Sequence, residues 1–364
     1  MNRLRLFACV SAVLLGFSVR ASGADGAPQS ARPIPAYDPH FSYQGRYDFS
    51  DPARPVVVWE ASRITIDFDG DHAGVRFGGA TGPVFFDASV DGASVILKAP
   101  QGTADTIFPL PVSGSGLHHL ILFKRTEASA GTAPFVGIEI AAGATVYSPA
   151  APVYRLRMEV VGDSITVGAC DEDGPNDQWE DRSTHDAAFS WIALTAAAFS
   201  ADYRNISVSG MGLSTGFVDV LAGQMWDQIY PTASSPKADL SAWVPEVVFV
   251  LLGDNDDSYP RAHNLPFPAD FGAKYISLIH AIRAGRPHAS IVLLNGAMWA
   301  GTHSPELRTA WSSAVPSLES ADPGISHYTF VHWTMNHPRV ADHRILADEL
   351  ISWLRAQPFF EGNR

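Results

Sequence analysis

Three mainly apolar runs after residue 153 constrain the fold of this chain more than any other feature. The runs occupy residues 156–161, 247–252 and 291–294, and the weaker runs 203–208 and 328–332 have the same character. A β-strand is apolar along its whole length only when both of its faces are buried, as in parallel sheets covered by helices. These segments therefore predict a mostly parallel sheet of five strands.

Amphipathic helices are predicted between and after these strands. Apolar residues recur at helical spacing in four stretches, at about residues 186–201, 267–284, 305–318 and 340–356. Strands that alternate with helices through short connections predict a three-layer α/β/α domain, which we assign to residues 153–360. The active site of such a domain lies at the carboxyl ends of the strands.

The first part of the chain has a different pattern, with short alternating segments and turns rich in glycine and proline. Apolar and polar residues alternate strictly over residues 64–69, and Asp91-Gly92 separates two such segments as in a two-residue hairpin turn. Residues 41–148 contain no helical periodicity of useful length, so we predict an all-β sandwich there. The segment 148–152, Ser-Pro-Ala-Ala-Pro, marks the join between the two domains.

The first 24 residues have the pattern of a secretory signal peptide. Arg3 and Arg5 precede an apolar stretch at residues 6–19, and small residues follow it. Such a stretch is too short to span a bilayer. The segment 25–40, rich in Pro and Ala, is predicted to be a linker. We therefore expect a secreted or periplasmic protein with no membrane attachment after cleavage of the signal peptide 1–24.

Charge and cysteine content narrow the function classes. The chain has 25 Lys and Arg against 38 Asp and Glu, a net charge of −13. This balance argues against a nucleic-acid partner, because such proteins need a basic surface. The two cysteines are Cys9, inside the predicted signal peptide, and Cys170. The mature chain is therefore expected to have no internal disulfide, and we expect it to be a monomer.

Four short motifs lie where the predicted strands end or just before the last helix. They are Gly162-Asp163-Ser164, Gly210, Gly253-Asp254-Asn255-Asp256 and His337-Pro338. Each alone is compatible with an ordinary turn or helix cap. Together they supply a serine, backbone donors, an amide donor and a late histidine, which are the groups that acyl transfer requires.

In order and spacing these motifs resemble the four blocks of the SGNH (GDSL-type) hydrolases. The segments 45–52 (GRYDFSDP) and 123–127 (FKRTE) also resemble carbohydrate esterase family 2. The resemblance extends over about residues 43–356. It implies a jelly-roll-like β-sandwich ahead of an esterase domain that removes O-acetyl groups from plant cell-wall polysaccharides such as xylan or glucomannan, with no cofactor and no metal.

The resemblance also implies a role for each residue. Ser164 would be the nucleophile and His337 the general base and acid. The N–H groups of Ser164 and Gly210 and the amide of Asn255 would form the oxyanion hole. Transfer of the Ser164 proton to His337 would allow attack on the acetyl carbonyl, and water would then hydrolyse the acetyl-enzyme.

One position departs from the family pattern. The family usually has an aspartate three residues before the histidine, where this chain has Thr334. Asp342 lies inside the predicted last helix and does not replace that aspartate, so we expect a Ser-His dyad. The same departure is compatible with an alternative function, a non-catalytic or weakly active glycan-binding protein with a degenerate esterase domain.

Two further patterns suggest other chemistry and are weaker. The segment 212–216 (GLSTG) matches the nucleophile elbow of α/β-hydrolases around Ser214, but that elbow follows a strand directly and here three residues intervene. The acidic segment 170–181 could ligate calcium, yet it lacks the spacing of a calcium loop and is better interpreted as a solvated loop beside the active site. Cys170 has no Cys or His partner in sequence and is expected to be a structural thiol.

Three of the nine tryptophans are candidates for stacking on a sugar. Trp299 follows a strand, Trp333 precedes the histidine motif, and Trp179 lies in the acidic segment. With Asp254, they form the predicted substrate-binding set. The tryptophans in predicted helices are expected in the core, namely Trp191, Trp311 and Trp353.

Overall fold

The computed structural model describes residues 31–363. The predicted signal peptide 1–24 therefore lies outside the described residues, as do residues 25–30 of the predicted linker. The chain forms a β-sandwich followed by an α/β domain.

The sandwich consists of twelve strands in two antiparallel sheets. They are β1 (Ala31–Pro35), β2 (Ser42–Gln44), β3 (Tyr47–Asp48), β4 (Val56–Val57), β5 (Arg63–Gly70), β6 (Ala73–Phe77), β7 (Phe85–Val90), β8 (Ala93–Lys98), β9 (Thr106–Pro109), β10 (Gly116–Lys124), β11 (Ala133–Ala141) and β12 (Val146–Tyr147). One sheet has the order β3-β4-β11-β6-β9 with β1 on β11, and the other has the order β12-β5-β10-β7-β8 with β2 on β5.

Alternation along the strands builds the core of the sandwich. In β5, Ile64, Ile66 and Phe68 are buried while the residues between them are half-exposed, because successive side chains of a strand point to opposite faces. The predicted hairpin is also present, since β7 pairs with β8 across Asp91 and Gly92. Both turn residues have positive φ, 52° and 88°, as the two-residue turn requires.

The structure corrects the predicted linker at 25–40. Within that segment β1 pairs antiparallel with β11, and Ile34 is buried in the core of the sandwich. Its prolines suggested a tether, but an edge strand tolerates proline because only one of its sides forms sheet hydrogen bonds.

Within the described residues, the α/β domain contains five strands and eight α-helices. The strands are β13 (Leu156–Gly162), β14 (Ala201–Ser207), β15 (Val247–Leu251), β16 (Ser290–Asn295) and β17 (Ile325–Thr329). The helices are α1 (Ser164–Val167), α2 (Trp191–Ala198), α3 (Ala222–Met225), α4 (Asp254–Ala262), α5 (Phe271–Gly285), α6 (Trp299–His303), α7 (Pro305–Ala321) and α8 (Val340–Arg355).

The central sheet is parallel throughout, with the order β14-β13-β15-β16-β17. Core clusters on its two faces join it to the helices. The predicted fold, a β-sandwich ahead of a three-layer domain with a five-stranded parallel sheet, is therefore confirmed. The sheet order places β13, the first of these strands in the chain, between β14 and β15. The direction of winding therefore reverses at the carboxyl end of β13, where ligands bind in such sheets.

The last predicted strand is displaced in the structure, and the last helix begins where it was predicted. The strand spans Ile325–Thr329 and ends before the predicted segment 328–332 is complete. The helix begins at Val340 with Arg339 as its N-cap, so Pro338 precedes it. Residues 330–339 therefore form a loop that carries His337 past the end of the sheet.

The two domains share buried contacts. Val58, Trp59 and Ala128 of the sandwich belong to a core cluster of the α/β domain, and the indole N–H of Trp59 donates to the Ile229 carbonyl at 2.7 Å. Arg46 also enters the α/β domain, where its guanidinium bonds Glu159 at 3.1 Å. None of the helices within residues 31–363 is both long and apolar enough to cross a membrane.

Candidate active site

Ser164 lies where the winding of the parallel sheet reverses. Strand β13 ends at Gly162, and the Asp163 carboxylate accepts a hydrogen bond from the Ile165 N–H at 3.1 Å, which caps helix α1. Ser164 is therefore the first residue of that helix and is only 7% exposed. It lines a cavity of about 630 Å³ together with Gly210, Asp254, Asn255 and His337. The structure thus brings the four predicted motifs together.

His337 has a carboxylate partner that the sequence did not indicate. Its Nδ1 lies 2.7 Å from Oδ2 of Asp177, and the second carboxylate oxygen of Asp177 accepts from Arg339 at 2.8 Å. Burial acts to raise the pKa of Asp177, but the hydrogen bonds from His337 and Arg339 outweigh it and hold this pKa well below its usual range. An ionised Asp177 selects the tautomer with a proton on Nδ1, which leaves Nε2 free to accept a proton.

This contact corrects the expectation that no acid replaces the usual aspartate. Asp177 comes from the acidic segment after α1, 160 residues before His337 in the chain, and that segment was interpreted as a solvated loop. Thr334, at the position of the usual aspartate, donates its hydroxyl to the Asn336 carbonyl at 2.6 Å. Asp342 accepts from the Arg339 N–H at 3.0 Å and lies 2.7 Å from His332, so it is engaged elsewhere, as predicted.

Two backbone N–H groups remain available at and near Ser164. Among residues 31–363, no acceptor is found for the N–H of Ser164 or of Gly210. Gly210 has a φ of +78°, and a Cβ there would lie 3.0 Å from the Cβ of Phe217, so the loop conformation favours glycine. These donors could stabilise a developing oxyanion.

Asn255 is already hydrogen-bonded in this structure. Its amide nitrogen lies 3.1 Å from Asp163 Oδ2 and 3.0 Å from the Met211 carbonyl. Both amide hydrogens therefore have acceptors, and Asn255 can serve an oxyanion only by exchanging one of them. Burial, followed by the negative charge of Asp254, raises the pKa of Asp163 well above its usual value. The Asp163 carboxyl, which accepts from Asn255, therefore favours its neutral form.

The two acids that flank Asn255 are occupied by backbone N–H groups. Asp254, predicted to bind substrate, lines the cavity, but its carboxylate accepts from the Gly301 N–H at 3.3 Å. Asp256 accepts from three consecutive N–H groups at 2.6–3.1 Å, those of Leu213, Ser214 and Thr215. Burial raises the pKa of Asp254 and of Asp256 to about 6.

The hydrogen bonds to Asp256 explain the elbow-like pattern at 212–216. The segment is a tight loop wrapped around a carboxylate, and a Cβ at Gly212 would lie 1.8 Å from the Thr215 carbonyl. Gly212 is therefore needed for the tight turn of this loop. Ser214 does not line the cavity that contains His337.

The sandwich contributes Glu127 to the environment of the site. Its carboxylate is 2% exposed, accepts from the Ser209 N–H at 2.7 Å and bonds Arg182 at 3.1 Å. Ser209 immediately precedes Gly210, so a carboxylate from the first domain positions the loop that carries a candidate oxyanion donor. In sequence, Glu127 was notable only as part of the segment 123–127.

The tryptophans do not all lie where they were predicted. Trp179 and Trp299 line the cavity. The guanidinium of Arg182 lies 4.2 Å above the Trp179 ring, and that of Arg261 lies 4.2 Å above the Trp299 ring. Trp333 is outside the cavity. It packs edge-on against His303 at 4.3 Å.

Ring contacts limit the surface that these tryptophans offer to a sugar. His303 stacks nearly parallel to Trp299 at 5.7 Å, and His337 lies 5.5 Å from Trp179 at an angle of 31°. Trp179 therefore contacts the candidate catalytic imidazole directly. Of the tryptophans predicted to be core, Trp191 and Trp311 are buried and Trp353 is half-buried.

Cys170 has a partner that the sequence did not indicate. Its Sγ lies 3.5 Å from Nε2 of His185, and the side chain is fully buried. Burial, followed by the nearby Asp177, raises the pKa of the Cys170 thiol. The thiol is therefore kept protonated and is a poor nucleophile.

The fold and this constellation define the class of the protein. A serine at the switch point of a five-stranded parallel sheet, near a histidine paired with a carboxylate, is the arrangement of an acylhydrolase domain. More specifically, the chain belongs to the GDSL-like lipase/acylhydrolase family, whose model matches residues 160–342. The model described as carbohydrate esterase 2 N-terminal matches residues 43–152. The predicted resemblance is confirmed for both domains.

Two characterised relatives cover most of this chain. A cellulase/esterase, CelE, of Acetivibrio thermocellus is 30% identical over 331 residues, which is 87% of this chain and 39% of that protein. This chain thus spans well under half the length of that relative. An acetylxylan esterase / glucomannan deacetylase of Cellvibrio japonicus is 25% identical and matches over 90% of this chain and 93% of its own length.

Solved structures show the same architecture. A family two carbohydrate esterase from Clostridium thermocellum, determined in complex with cellohexaose, superimposes with a TM-score of 0.77 and 28% identity. The match covers 86% of this chain and 98% of that one. A family two carbohydrate esterase from Cellvibrio japonicus has a TM-score of 0.77 at 20% identity, covering 90% and 97% of the two chains.

Proposed function

We propose that this chain is a serine esterase that removes O-acetyl groups from a plant cell-wall polysaccharide such as xylan or glucomannan. The observation that carries the proposal is the His337–Asp177 pair, which lies at 2.7 Å in the cavity that Ser164 also lines. The activities named for the Cellvibrio relative support the choice of substrate. The cellohexaose complex of the Clostridium structure supports an oligosaccharide ligand.

The chemistry follows from the protonation states. His337 Nε2 accepts the Ser164 proton as Oγ attacks the acetyl carbonyl, and the charge that develops on the imidazolium is balanced by Asp177. The tetrahedral oxyanion is held by the N–H groups of Ser164 and Gly210, joined by Asn255 once it exchanges an acceptor. The sugar alcohol leaves with the proton from His337, and water hydrolyses the acetyl-enzyme by the same route.

Substrate contacts are proposed for the residues that the cavity exposes. Trp179 and Trp299 would offer the parts of their rings left free by the arginines above them. We do not retain Trp333 as a candidate, because it is not among the residues that line the cavity. Hydrolysis by this route needs no cofactor. Export, predicted from residues 1–24, would bring the enzyme to such a polysaccharide.

The alternative of a non-catalytic glycan-binding protein rested on Thr334. Since Asp177 offers His337 the missing carboxylate, the substitution at position 334 no longer argues for lost activity. The two functions differ in a simple assay, because only an esterase releases product.

The test is release of acetate from acetylated xylan and acetylated glucomannan, together with hydrolysis of 4-nitrophenyl acetate. We expect turnover that Ser164→Ala abolishes and that Ser214→Ala leaves within about twofold of wild type. Because removal of a triad member costs on the order of 10⁴ or more in rate, the contrast is large. Glycan binding without acetate release would support the alternative, and activity lost in Ser214→Ala but kept in Ser164→Ala would contradict the assignment.

A further inference from the structure

We propose that Cys170, Asp177 and His337 form a site for a thiophilic divalent cation such as Zn²⁺, and that an ion bound there switches the enzyme off. The inhibitory consequence rests on the proposed esterase function, while binding itself does not. Cys170 and Asp177 belong to the acidic segment 170–181 and His337 to the loop before α8, so the fold brings the histidine to the other two.

The spacing of the donor atoms suits a small tetrahedral ion. One sulfur, one carboxylate oxygen and one imidazole nitrogen from these residues all lie within 4.8 Å of one another. Donors at about 2.0–2.3 Å from a tetrahedral centre lie about 3.3–3.8 Å apart. A contraction of about 1 Å at the widest pair would therefore close the site, and such movement is small for side chains on a loop.

A further donor lies beside the sulfur. Nε2 of His185 lies 3.5 Å from Sγ of Cys170. The nitrogens of His185 do not belong to the group of donor atoms that lie within 4.8 Å of one another. We therefore assign the ion three protein ligands, Cys170, Asp177 and His337, with water in the fourth position.

The chemistry of the donor set selects the ion. A thiolate with imidazole and carboxylate favours Zn²⁺ and similar transition metals, whereas Ca²⁺ prefers a shell made of oxygen atoms. The calcium interpretation of the segment 170–181 is therefore replaced by a different class of cation. Arg339 occupies Oδ1 of Asp177 at 2.8 Å, which leaves Oδ2 as the oxygen available to a metal.

Binding at this place would remove the catalytic base. Oδ2 of Asp177 is the atom that contacts His337 Nδ1 at 2.7 Å, so an ion that takes Oδ2 and His337 replaces that hydrogen bond. The thiol proton of Cys170 is released to solvent as the metal–sulfur bond forms. Coordination of Nδ1 moves the imidazole proton to Nε2, so the imidazole no longer accepts the Ser164 proton. The effect reverses when a chelator removes the metal.

The first measurement detects the metal–sulfur bond without using activity. Co²⁺ added to the metal-free wild-type protein should give a thiolate-to-cobalt charge-transfer band in the near ultraviolet. Zn²⁺ should abolish this band at one equivalent by displacing Co²⁺. Absence of the band with saturating Co²⁺ would overturn the proposal, and this outcome is independent of whether the protein is an esterase.

The second measurement links the site to turnover. Hydrolysis of 4-nitrophenyl acetate by wild type should fall at least tenfold on addition of Zn²⁺ and recover with a chelator. Cys170→Ser should keep its metal-free rate and need at least tenfold more Zn²⁺ for the same inhibition, with Cys170→Ala as a second variant should the serine form be unstable. Equal sensitivity of the variants and wild type would contradict the proposal.

A matched control tests whether any His–Asp pair would respond in this way. His119 and Asp67 form such a pair on the sandwich at 2.5 Å, away from Cys170. His119→Asn should leave both the cobalt band and the Zn²⁺ sensitivity unchanged. A loss of Zn²⁺ sensitivity in this variant would locate the inhibitory ion on the sandwich and overturn the assignment.

Discussion

At the scale of single residues, Asp177 is the group on which the proposed chemistry depends most. It is held by Arg339 at 2.8 Å and faces His337 at 2.7 Å, and its pKa is well below the usual range because these hydrogen bonds outweigh burial. A carboxylate that stays ionised can orient the imidazole and balance its charge throughout the catalytic cycle. It does so from the loop after α1 and not from the loop that carries His337.

The first prediction concerns this carboxylate. Asp177→Asn removes the charge and favours the wrong tautomer of His337, so kcat should fall by about 10²–10⁴ with KM little changed. Steady-state kinetics on 4-nitrophenyl acetate provide the measurement. Glu180→Gln, an exposed acid of the same segment, is the matched control and should behave as wild type. If Asp177→Asn kept the wild-type kcat, Asp177 would not contribute to catalysis, and a Ser-His dyad would be supported instead.

The second prediction concerns pH and a buried histidine that does not line the cavity. His343 is fully buried on α8, its Nδ1 accepts from the Trp191 N–H at 3.2 Å, and burial lowers its pKa from 6.5 to about 3. Below pH 6.5, His343 binds a proton in the unfolded chain, whereas in the folded chain it stays neutral down to about pH 3. The free energy of unfolding should therefore decrease as pH falls through this window, by up to about 1.4 kcal/mol per pH unit for this group.

His343→Asn tests this linkage, because the Asn oxygen can accept the same hydrogen bond and does not titrate. Urea unfolding of wild type and variant between pH 7 and pH 4 gives the free energy of unfolding at each pH. We expect this free energy to decrease more for wild type than for the variant as the pH falls. Parallel curves would mean that His343 does not carry the effect.

At the scale of elements, the end of strand β10 reaches into the other domain. The segment after it places Glu127 against the Ser209 N–H at 2.7 Å and against Arg182, whose guanidinium covers Trp179. One carboxylate of the sandwich therefore contacts both the loop of Gly210 and the wall next to His337. In the proposed mechanism, the sandwich would therefore help to position the groups around Ser164 and His337.

The third prediction follows from that contact. Glu127→Gln replaces a charged acceptor by a neutral one, and hydrogen bonds to charged groups contribute about 1.5–3 kcal/mol. If part of this energy fixes the Gly210 loop, kcat should fall about tenfold or more, since about 1.4 kcal/mol corresponds to tenfold in rate. KM should stay close to wild type because Glu127 does not line the cavity.

A matched variant separates this effect from general damage to the sandwich. Glu139→Gln alters another sandwich carboxylate, paired with Arg76 on neighbouring strands, and should leave kcat unchanged. An equal loss of kcat in both variants, or a loss confined to KM in Glu127→Gln, would remove Glu127 from its positioning role.

Elements also explain which features sequence patterns can predict. The apolar runs predict all five strands of the parallel sheet, and family spacing assembles Ser164, Gly210, Asn255 and His337 around one cavity. Asp177 is missed because a contact across 160 residues has no periodic signal, and a run of acids resembles a solvated loop. Strand β1 is missed because two prolines hide an edge strand. The sequence also does not show which tryptophan faces are free to stack on a sugar, because this depends on neighbours that only the fold brings close.

At the scale of the whole molecule, the two domains behave as one unit in their packing. Trp59 is 1% exposed inside a core cluster of the α/β domain, and Arg46 shares the buried Glu159 with Arg286. Removing either domain would expose these groups. A buried charge that loses its partner is costly, and so is the cavity left by a large aromatic side chain.

The fourth prediction is therefore cooperative unfolding of the pair. Differential scanning calorimetry should give one transition for wild type, and Trp59→Ala should shift that single transition down, in line with a loss of about 3–5 kcal/mol. Two resolved transitions in wild type, with only one of them moved by Trp59→Ala, would show that the domains unfold independently.

The most direct test of the proposed catalytic centre is covalent labelling by a serine-directed fluorophosphonate, with the adduct located by mass spectrometry of peptides. A nucleophile activated by His337 and Asp177 should give one adduct, on Ser164, and Asp177→Asn should form it at least about a hundredfold more slowly. An adduct on Ser214, or labelling of Ser164 at the same rate in Asp177→Asn, would contradict the assignment of Ser164, His337 and Asp177 as the working triad.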